Sequence, residues 1–305
     1  MSNLENVKPI REWLSDIETD FTERTGTPRL PITSLPELNR KIWGLKEGGI
    51  TIVGARTSQG KSSFAMQCAW DLADSNIPVL FLSLEMDEKS LIERLFCHVA
   101  KVDNYDIKTG KWNTDVEIRS RWEVFKSYIA KIPLLITCGV GHTWEEIVHI
   151  IECLDPMPKA IIVDYVQNIY SKPGDTRETI NQYLRKFRTL ALKEKFAGVI
   201  CSQINRGAEQ SKDKEPTMAQ LKESGFLEEI ADVVMLLHWP DFYTKEVTGE
   251  SSEYKILVEK NRSGRTGEHS VYYTPRYYLF RETIPTSERE IAEVARHKNN
   301  LAGTY

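Results

Sequence analysis

Apolar residues near the start of the chain recur at helical spacing. Val7, Ile10, Leu14, Ile17 and Phe21 follow one another at steps of three, four, three and four, which puts all five on one stripe of an α-helix. The stretch Thr25-Gly26-Thr27-Pro28-Arg29-Leu30-Pro31 then breaks the pattern, because glycine and two prolines favour an extended connector. A helix set apart in this way must bury its stripe on something, either a neighbouring copy of the protein or its own domain. From residue 49 onward the period changes. Short apolar runs alternate with helical stretches, a pattern that predicts βαβ units and a mainly parallel sheet. Strands are expected at residues 49–54, 79–84, 134–137, 160–164, 198–202, 232–237 and 254–259, with a closing hairpin of 270–274 and 277–280 around Pro275-Arg276. Residues 205–225 are polar and strand-free, and loops of that length in a compact domain go with function or mobility.

Composition narrows the classes. The 305 residues, 41% hydrophobic and 28% charged, fall in the ordinary globular range and exclude collagenous, low-complexity and disordered chains. No apolar run approaches the ~18–20 residues of a membrane span, and the first residues lack a signal-peptide core, so a cytoplasmic protein with no membrane partner is expected. The five cysteines are odd in number, widely spaced and form no C-x-x-C pair, which points to core residues rather than a disulfide framework or zinc site. His142 and His149, seven apart on an expected helix, lack accompanying carboxylates or cysteines and read as surface or packing residues. A formal charge of −4 excludes a histone-like polyanion binder. From Tyr254 to Arg281, however, six Lys/Arg stand against two Glu, so one local surface suits a polyanion.

The strongest chemical signal is Gly54-Ala55-Arg56-Thr57-Ser58-Gln59-Gly60-Lys61-Ser62-Ser63, between an expected strand and an expected helix beginning near Phe64. A loop at a helix N-terminus directs backbone N–H groups at phosphate, Lys61 reaches the β and γ oxygens, and the Ser62 hydroxyl is a Mg²⁺ ligand. The strict pattern asks for glycine where Ala55 stands, with Gly54 one position early. Three polar residues follow expected strands, on the edge where open α/β sheets place ligands. Asp164 closes Ala160-Ile161-Ile162-Val163 as a water-mediated partner of Mg²⁺. Glu85 follows the second strand as candidate general base for water, and Gln203 follows Val199-Ile200-Cys201-Ser202 where an amide can sense a γ-phosphate.

With these residues the chain, from about residue 8 to residue 281, resembles the RecA-like motor domain of the DnaB-type replicative DNA helicases. The resemblance rests on the phosphate loop, on Leu82-Ser83-Leu84-Glu85-Met86, Val163-Asp164-Tyr165-Val166-Gln167 and Cys201-Ser202-Gln203-Ile204-Asn205-Arg206, and on Leu221-Lys222-Glu223-Ser224-Gly225 and Glu259-Lys260-Asn261-Arg262-Ser263-Gly264, in the family's order. It implies an α/β fold, a RecA-like P-loop ATPase with a mainly parallel central sheet and a preceding linker helix, divided into residues 1–31 (helix and connector), 32–282 (motor) and 283–305 (polar tail). It implies a ring-forming, ATP- and Mg²⁺-dependent replicative helicase moving 5′ to 3′ on single-stranded DNA at the replication fork. Hydrolysis should then depend on assembly, in a homo-oligomer expected to be a hexamer.

The resemblance also assigns roles that the residues alone do not. Lys260 and Arg262, otherwise a solvated basic turn, would enter the adjacent subunit's ATP site, Arg262 as arginine finger. Lys222, Glu223 and Gly225 would hold the single-stranded DNA backbone through the lysine and main-chain N–H groups; the family more often has arginine at Lys222, whose two-pronged phosphate contact a lysine lacks. The first helix would dock on a neighbouring motor domain. Primase or a helicase loader are expected partners, in the bacterial cytoplasm or a virus-infected host cell. Because little precedes the linker helix, either a compact viral or mobile-element form or a collar supplied by another polypeptide is expected. A RecA-like recombination-mediator ATPase and a non-translocating ATP-binding ring scaffold are the rival readings. Tyr272, Tyr273, Tyr277, Tyr278 and Phe280 read as core and cross-strand pairs rather than base-stacking platforms. The polar tail reads as a partner-binding helix or a disordered segment.

Overall fold

The structure, a computed structural model, describes residues 9–23, 26, 28, 30–169, 177–205, 215–221, 224–244 and 251–283. One sheet organises them, with nine strands among the described residues: β1 (Ile50–Ala55), β2 (Val79–Ser83), β3 (Leu134–Cys138), β4 (Ala160–Asp164), β5 (Ala197–Gln203), β6 (Val233–His238), β7 (Ser252–Asn261), β8 (Gly267–Thr274) and β9 (Leu279–Arg281). Their order is β3-β2-β4-β5-β1-β6-β7-β8-β9. The six strands from β3 to β6 run parallel, and β7, β8 and β9 add an antiparallel meander. The mainly parallel α/β sheet expected from the sequence is therefore present, with strand ends within one or two residues of expectation, apart from longer β7 and β8 and a late β9.

The central strands are almost wholly apolar because both faces are covered. Successive side chains of β1 point to opposite sides. Ile50 and Ile52 join a core with α7 (Trp144–Glu152), α8 (Arg177–Glu194) and α9 (Ser224–Ile230). Val53 and Ala55 join another with α2 (Pro36–Ile42), α3 (Lys61–Asp74), α4 (Glu88–Ala100) and α6 (Val116–Ile129). Between β2 and β3 the chain inserts α4, α5 (Asn104–Lys108) and α6, which the sequence pattern leaves unassigned; α10 (Asp241–Thr244) follows β6. Among the described residues no helix is long and apolar enough to cross a membrane.

Several expectations are corrected. Helix α3 begins at Lys61 rather than near Phe64, because Gly60 turns the chain into it with φ +77°. His142 lies before α7, since Thr143 caps that helix in a reciprocal pair with Glu146; only His149 is helical. Cys68, Cys97 and Cys201 are core residues, but Cys138 on edge strand β3 is half-buried and Cys153, at the end of α7, is exposed. In the terminal hairpin Pro275–Tyr277 forms a single tight turn and pairing resumes only at Leu279; Tyr273 and Phe280 are buried, while Tyr272, Tyr277 and Tyr278 are half-buried. The long polar segment is not free of pairing: Ile204 bridges Leu221. Residues 206–214, 222–223 and 284–305 lie outside the described residues, which removes Arg206, Lys222, Glu223 and nearly all of the tail from structural account.

The first helix, α1 (Ile10–Glu23), keeps Ile10, Leu14 and Ile17 of its stripe between 42% and 80% exposed; Val7 lies outside the described residues.

Asp232 anchors the opposite edge of the sheet from the strand ends that carry the polar residues. Its carboxylate accepts the Ile50 N–H at the start of β1 (3.0 Å) and pairs with Arg188 of α8 and with Lys46 (3.2 Å). Burial alone would raise this carboxyl, but Arg188, Ile50 N–H and Lys46 outweigh it and hold it at about 2. A lowered carboxyl contributes stability above its unfolded value near 4 and loses it as pH falls towards 2. Asp232→Asn is expected to cost about 2 kcal/mol at pH 7 in urea unfolding, and the gap from wild type should close between about pH 4 and pH 2.

Candidate active site

The loop after β1 wraps the N-terminus of α3. No side chain caps that helix, so the N–H groups of its first turn are available to an anion, with the helix dipole behind them. The sharp turn needs Ser58 at φ +64° and Gly60 at φ +77°. At Gly60 any Cβ would also lie 3.1 Å from the Phe280 ring, so glycine serves both conformation and space. The loop rests on an aromatic floor from the meander. Tyr273 and Phe280 stack at 4.4 Å, Tyr254 donates its hydroxyl proton to the Gln59 carbonyl, and the Tyr273 and Ser63 hydroxyls bond at 3.2 Å.

Above the loop lies a cleft of about 350 Å³. It is lined by Ala55, Arg56, Thr57, Ser58, Gly60, Lys61, Ser62 and Ser63 and, from the neighbouring strand ends, by Glu85 and Gln203. Gln203 donates its amide N–H to Thr57 Oγ1 at 2.7 Å, while its backbone N–H is held by Gln167 Oε1 at 3.0 Å. Arg56 donates to the Ile204 carbonyl at 2.8 Å, tying the loop to the same strand end. Asp164, 1% exposed, lies behind Lys61 and takes its ammonium at 2.5 Å. Burial would lower the Lys61 ammonium, but Asp164 more than offsets it and holds it above its ordinary value. Gln59 departs from the rest: it is 1% exposed and its side-chain amide has no hydrogen-bond partner among the described residues, so it lies under the cleft rather than in it.

Sequence reasoning passes over several cleft residues. Tyr165 sets its ring 4.1 Å from Lys61 Nζ, and Met86, Arg94, Tyr273 and Tyr278 complete the wall. Tyr165 follows Asp164 directly and is legible from that position; Arg94 and Tyr278 reach the cleft through tertiary packing, which no local pattern reports.

The residues fit a nucleoside triphosphate with a hard cation. Cradle and lysine suit phosphates, and Ser62 with Asp164 offers one hydroxyl and one carboxylate. Mg²⁺ is commonly held by such sparse sets, with water and phosphate completing its shell, rather than by a cage; among the described residues no cluster of three or more His, Cys, Asp or Glu forms one.

Two expected residues are elsewhere. Lys260 and Arg262 lie at and just beyond the end of β7, which runs antiparallel to β6, so they occupy the Asp232 edge. Lys260 Nζ donates to the Glu228 carbonyl at 2.6 Å and Arg262 to the Glu229 carbonyl at 2.8 Å, both at the end of α9. Arg262 also stands 3.9 Å from Asp232. Partial burial and the neighbouring Arg262 lower the Lys260 ammonium. The six residues of β1 separate this edge from the phosphate loop by roughly 17–20 Å, beyond the reach of either side chain. Gly225 is exposed in the first turn of α9, and its neighbours Lys222 and Glu223 lie outside the described residues.

A family model described as the DnaB-like helicase C terminal domain matches residues 32–282. The chain belongs to that family. It is 28% identical over 287 residues to the replicative DNA helicase DnaC of Bacillus subtilis, covering 92% of this chain and 62% of that protein. It is 30% identical over 269 residues to the replicative DNA helicase DnaB of Leifsonia xyli, covering 86% and 57%. The chain thus spans about three fifths of the length of these curated relatives. Among solved structures, an isolated ATPase domain superposes with a TM-score of 0.81 at 25% identity, over 92% of this chain and all of that one. A DnaB-like replicative helicase, described with its interactions with primase, superposes at 0.78 and 25% identity, over 90% and 67%. The fold of the family, a RecA-like ATPase domain, is thus the fold of this chain.

Breaking a buried pair by removing one partner leaves an uncompensated charge. Lys61→Ala is therefore expected to cost roughly 3 kcal/mol of stability, and adding Asp164→Asn to recover most of it, as read from urea unfolding in a double-mutant cycle. Replacing the unpartnered Gln59 amide by a similarly shaped apolar chain, Gln59→Met, is expected to leave thermal stability unchanged or raise it.

Proposed function

We propose that this chain is the motor of a ring-forming, ATP-driven DNA helicase that translocates on single-stranded DNA 5′ to 3′ and unwinds the duplex at a replication fork. The observation that carries the reading is the division of the catalytic set. A phosphate cradle with Glu85 and Gln203 lies at one edge of the sheet, and the cations Lys260 and Arg262 lie at the other. Only a second copy, set head to tail, brings the two together, and repeating a heterologous contact of this kind closes a ring or extends a filament. Membership of the DnaB-like family supports the ring, a hexamer.

Hydrolysis follows from the residues. Lys61 exchanges the Asp164 carboxylate for β- and γ-phosphate oxygens as the loop N–H groups take the rest. Ser62 and Asp164 would hold Mg²⁺, which would supply charge neutralisation for the phosphates. Glu85 orients and deprotonates the attacking water. Gln203, braced by Thr57 and Gln167, reads the γ-phosphate. Arg262 leaves the α9 carbonyl to stabilise the transferring phosphoryl group on the neighbour, with Lys260 beside it. The crowding of these two cations favours an anionic destination.

DNA is held through Lys222 and the main-chain N–H groups of Glu223 and Gly225, at the head of α9. The exposed Ile10, Leu14 and Ile17 of α1 support docking of the segment 1–31 on the neighbour's motor, residues 32–282. A primase is the favoured partner, supported by the structural relative described with its interactions with primase, and a helicase loader is a further one. The cytoplasm, bacterial or of a virus-infected host cell, is the expected site of action.

The test is steady-state ATP hydrolysis with and without single-stranded DNA, followed by unwinding of a tailed fork. DNA is expected to stimulate turnover strongly, and Arg262→Ala to lower kcat by roughly 10³-fold. Unwinding separates this reading from a recombination mediator, and slow turnover indifferent to DNA would instead mark a ring scaffold.

A further inference from the structure

Trp43 combines two unfavourable features in one residue. It follows α2 with φ +61° and ψ +38°, and 56% of it is exposed. A bulky side chain in the left-handed region is strained, and helices that end this way usually carry glycine or asparagine there. An indole facing water also forgoes the stabilisation of burial. Glycine would remove both. Strain retained where the fold does not require it points to function.

The location of Trp43 suggests that function. Two residues earlier, the Lys41 carbonyl accepts from Asn261 Nδ2 at 3.2 Å, and Lys41 Nζ donates to the Glu268 carbonyl at 2.6 Å. Three residues later, Lys46 pairs with Asp232, which also stands beside Arg262. Trp43 is thus fixed from both sides to the edge of the sheet that carries Lys260 and Arg262. Leu192, also 56% exposed, adds apolar surface near Gly48, where a Cβ would lie 3.5–3.6 Å from it. At this edge Lys41, Lys46, Lys260, Arg262 and Arg265 stand among Glu47, Glu228, Glu229, Asp232 and Glu268, so the indole has a mixed, charged surround. An exposed aromatic within a polar surround is the usual composition of an interface anchor, and this one shares its edge with the cations that the proposed assembly carries to a neighbour's cleft.

We infer that Trp43 is the apolar anchor by which the Arg262 edge of one copy seats on the cleft-side face of a second copy of this chain. This rests on the head-to-tail assembly proposed above. The left-handed backbone turns the indole outward beside the cations that must enter the neighbour's cleft, so one contact fixes the approach of both.

The test uses the full chain with Trp43→Gly and Trp43→Asn, both of which tolerate the left-handed conformation. Thermal melts of dilute, nucleotide-free protein report the fold alone. Sedimentation velocity over a concentration series, with Mg²⁺ and a non-hydrolysable ATP analogue, reports assembly. Both variants are expected to melt about 2–4 °C higher than wild type and to need at least about tenfold more protein for half-assembly. A lower melting temperature in dilute solution would mean that Trp43 packs within its own chain and would overturn the inference. Wild-type assembly matched by both variants would overturn the anchor alone, and a wild-type chain that stays monomeric would overturn the assembly and the anchor together.

Discussion

Strand β1 ends in the phosphate loop and begins at the N–H that Asp232 holds, and Asp232 in turn stands beside Arg262. The strand is rigid, hydrogen-bonded on both sides to β5 and β6 and buried on both faces. Its length therefore separates the cradle from the basic turn, and no side-chain rotation spans that distance. On the reading proposed above, a single copy carries two half-sites at opposite edges of the sheet. The head-to-tail repetition and the dependence on assembly proposed above both derive from this one geometric constraint.

Around each half-site the chain has arranged charges that gain from a phosphate. Lys61 is already oriented by a buried carboxylate and by the face of Tyr165. Lys260 and Arg262 sit side by side on the last carbonyls of α9, where the helix dipole favours cations but their mutual repulsion does not. Because α9 carries Gly225 in its first turn and closes on those cations, one short helix connects the segment proposed to meet DNA with the groups proposed to act on the neighbour's nucleotide. The aromatic floor under Gly60 ties the antiparallel meander to the same loop, so the meander is part of the site's foundation.

The sheet is largely legible in the sequence because its central strands are buried on both faces and therefore read as bare apolar runs ending in polar residues. Ala160-Ile161-Ile162-Val163-Asp164 is the clearest case, found with the bounds expected. The phosphate loop is legible because strand, turn and helix leave it little freedom in sequence. Gln59 is not: as part of the loop motif it reads as a phosphate neighbour, yet its side chain is buried beneath the cleft, and it is its backbone carbonyl that Tyr254 of the meander holds. Arg94 and Tyr278 join the wall from elements far apart in the chain, and no local period reports such a meeting. Lys260 and Arg262 carry no local signal either. From residues alone they are a basic turn, and only family resemblance gives them a role that their place on the far edge then makes geometrically necessary to seek in another copy.

The central claim, that each nucleotide site is completed by a neighbour, is tested most directly by mixing two inactive proteins. Lys61→Ala lacks a working cradle but keeps Arg262, and Arg262→Ala keeps the cradle but lacks the finger. Each alone should be almost inactive in ATP hydrolysis, and an equimolar mixture, assembled with single-stranded DNA, should recover a measurable share of wild-type turnover at the junctions where a good cradle meets a good finger. A mixture that co-assembles yet stays as inactive as its components, or an Arg262→Ala protein that hydrolyses ATP at the wild-type rate, would contradict the account.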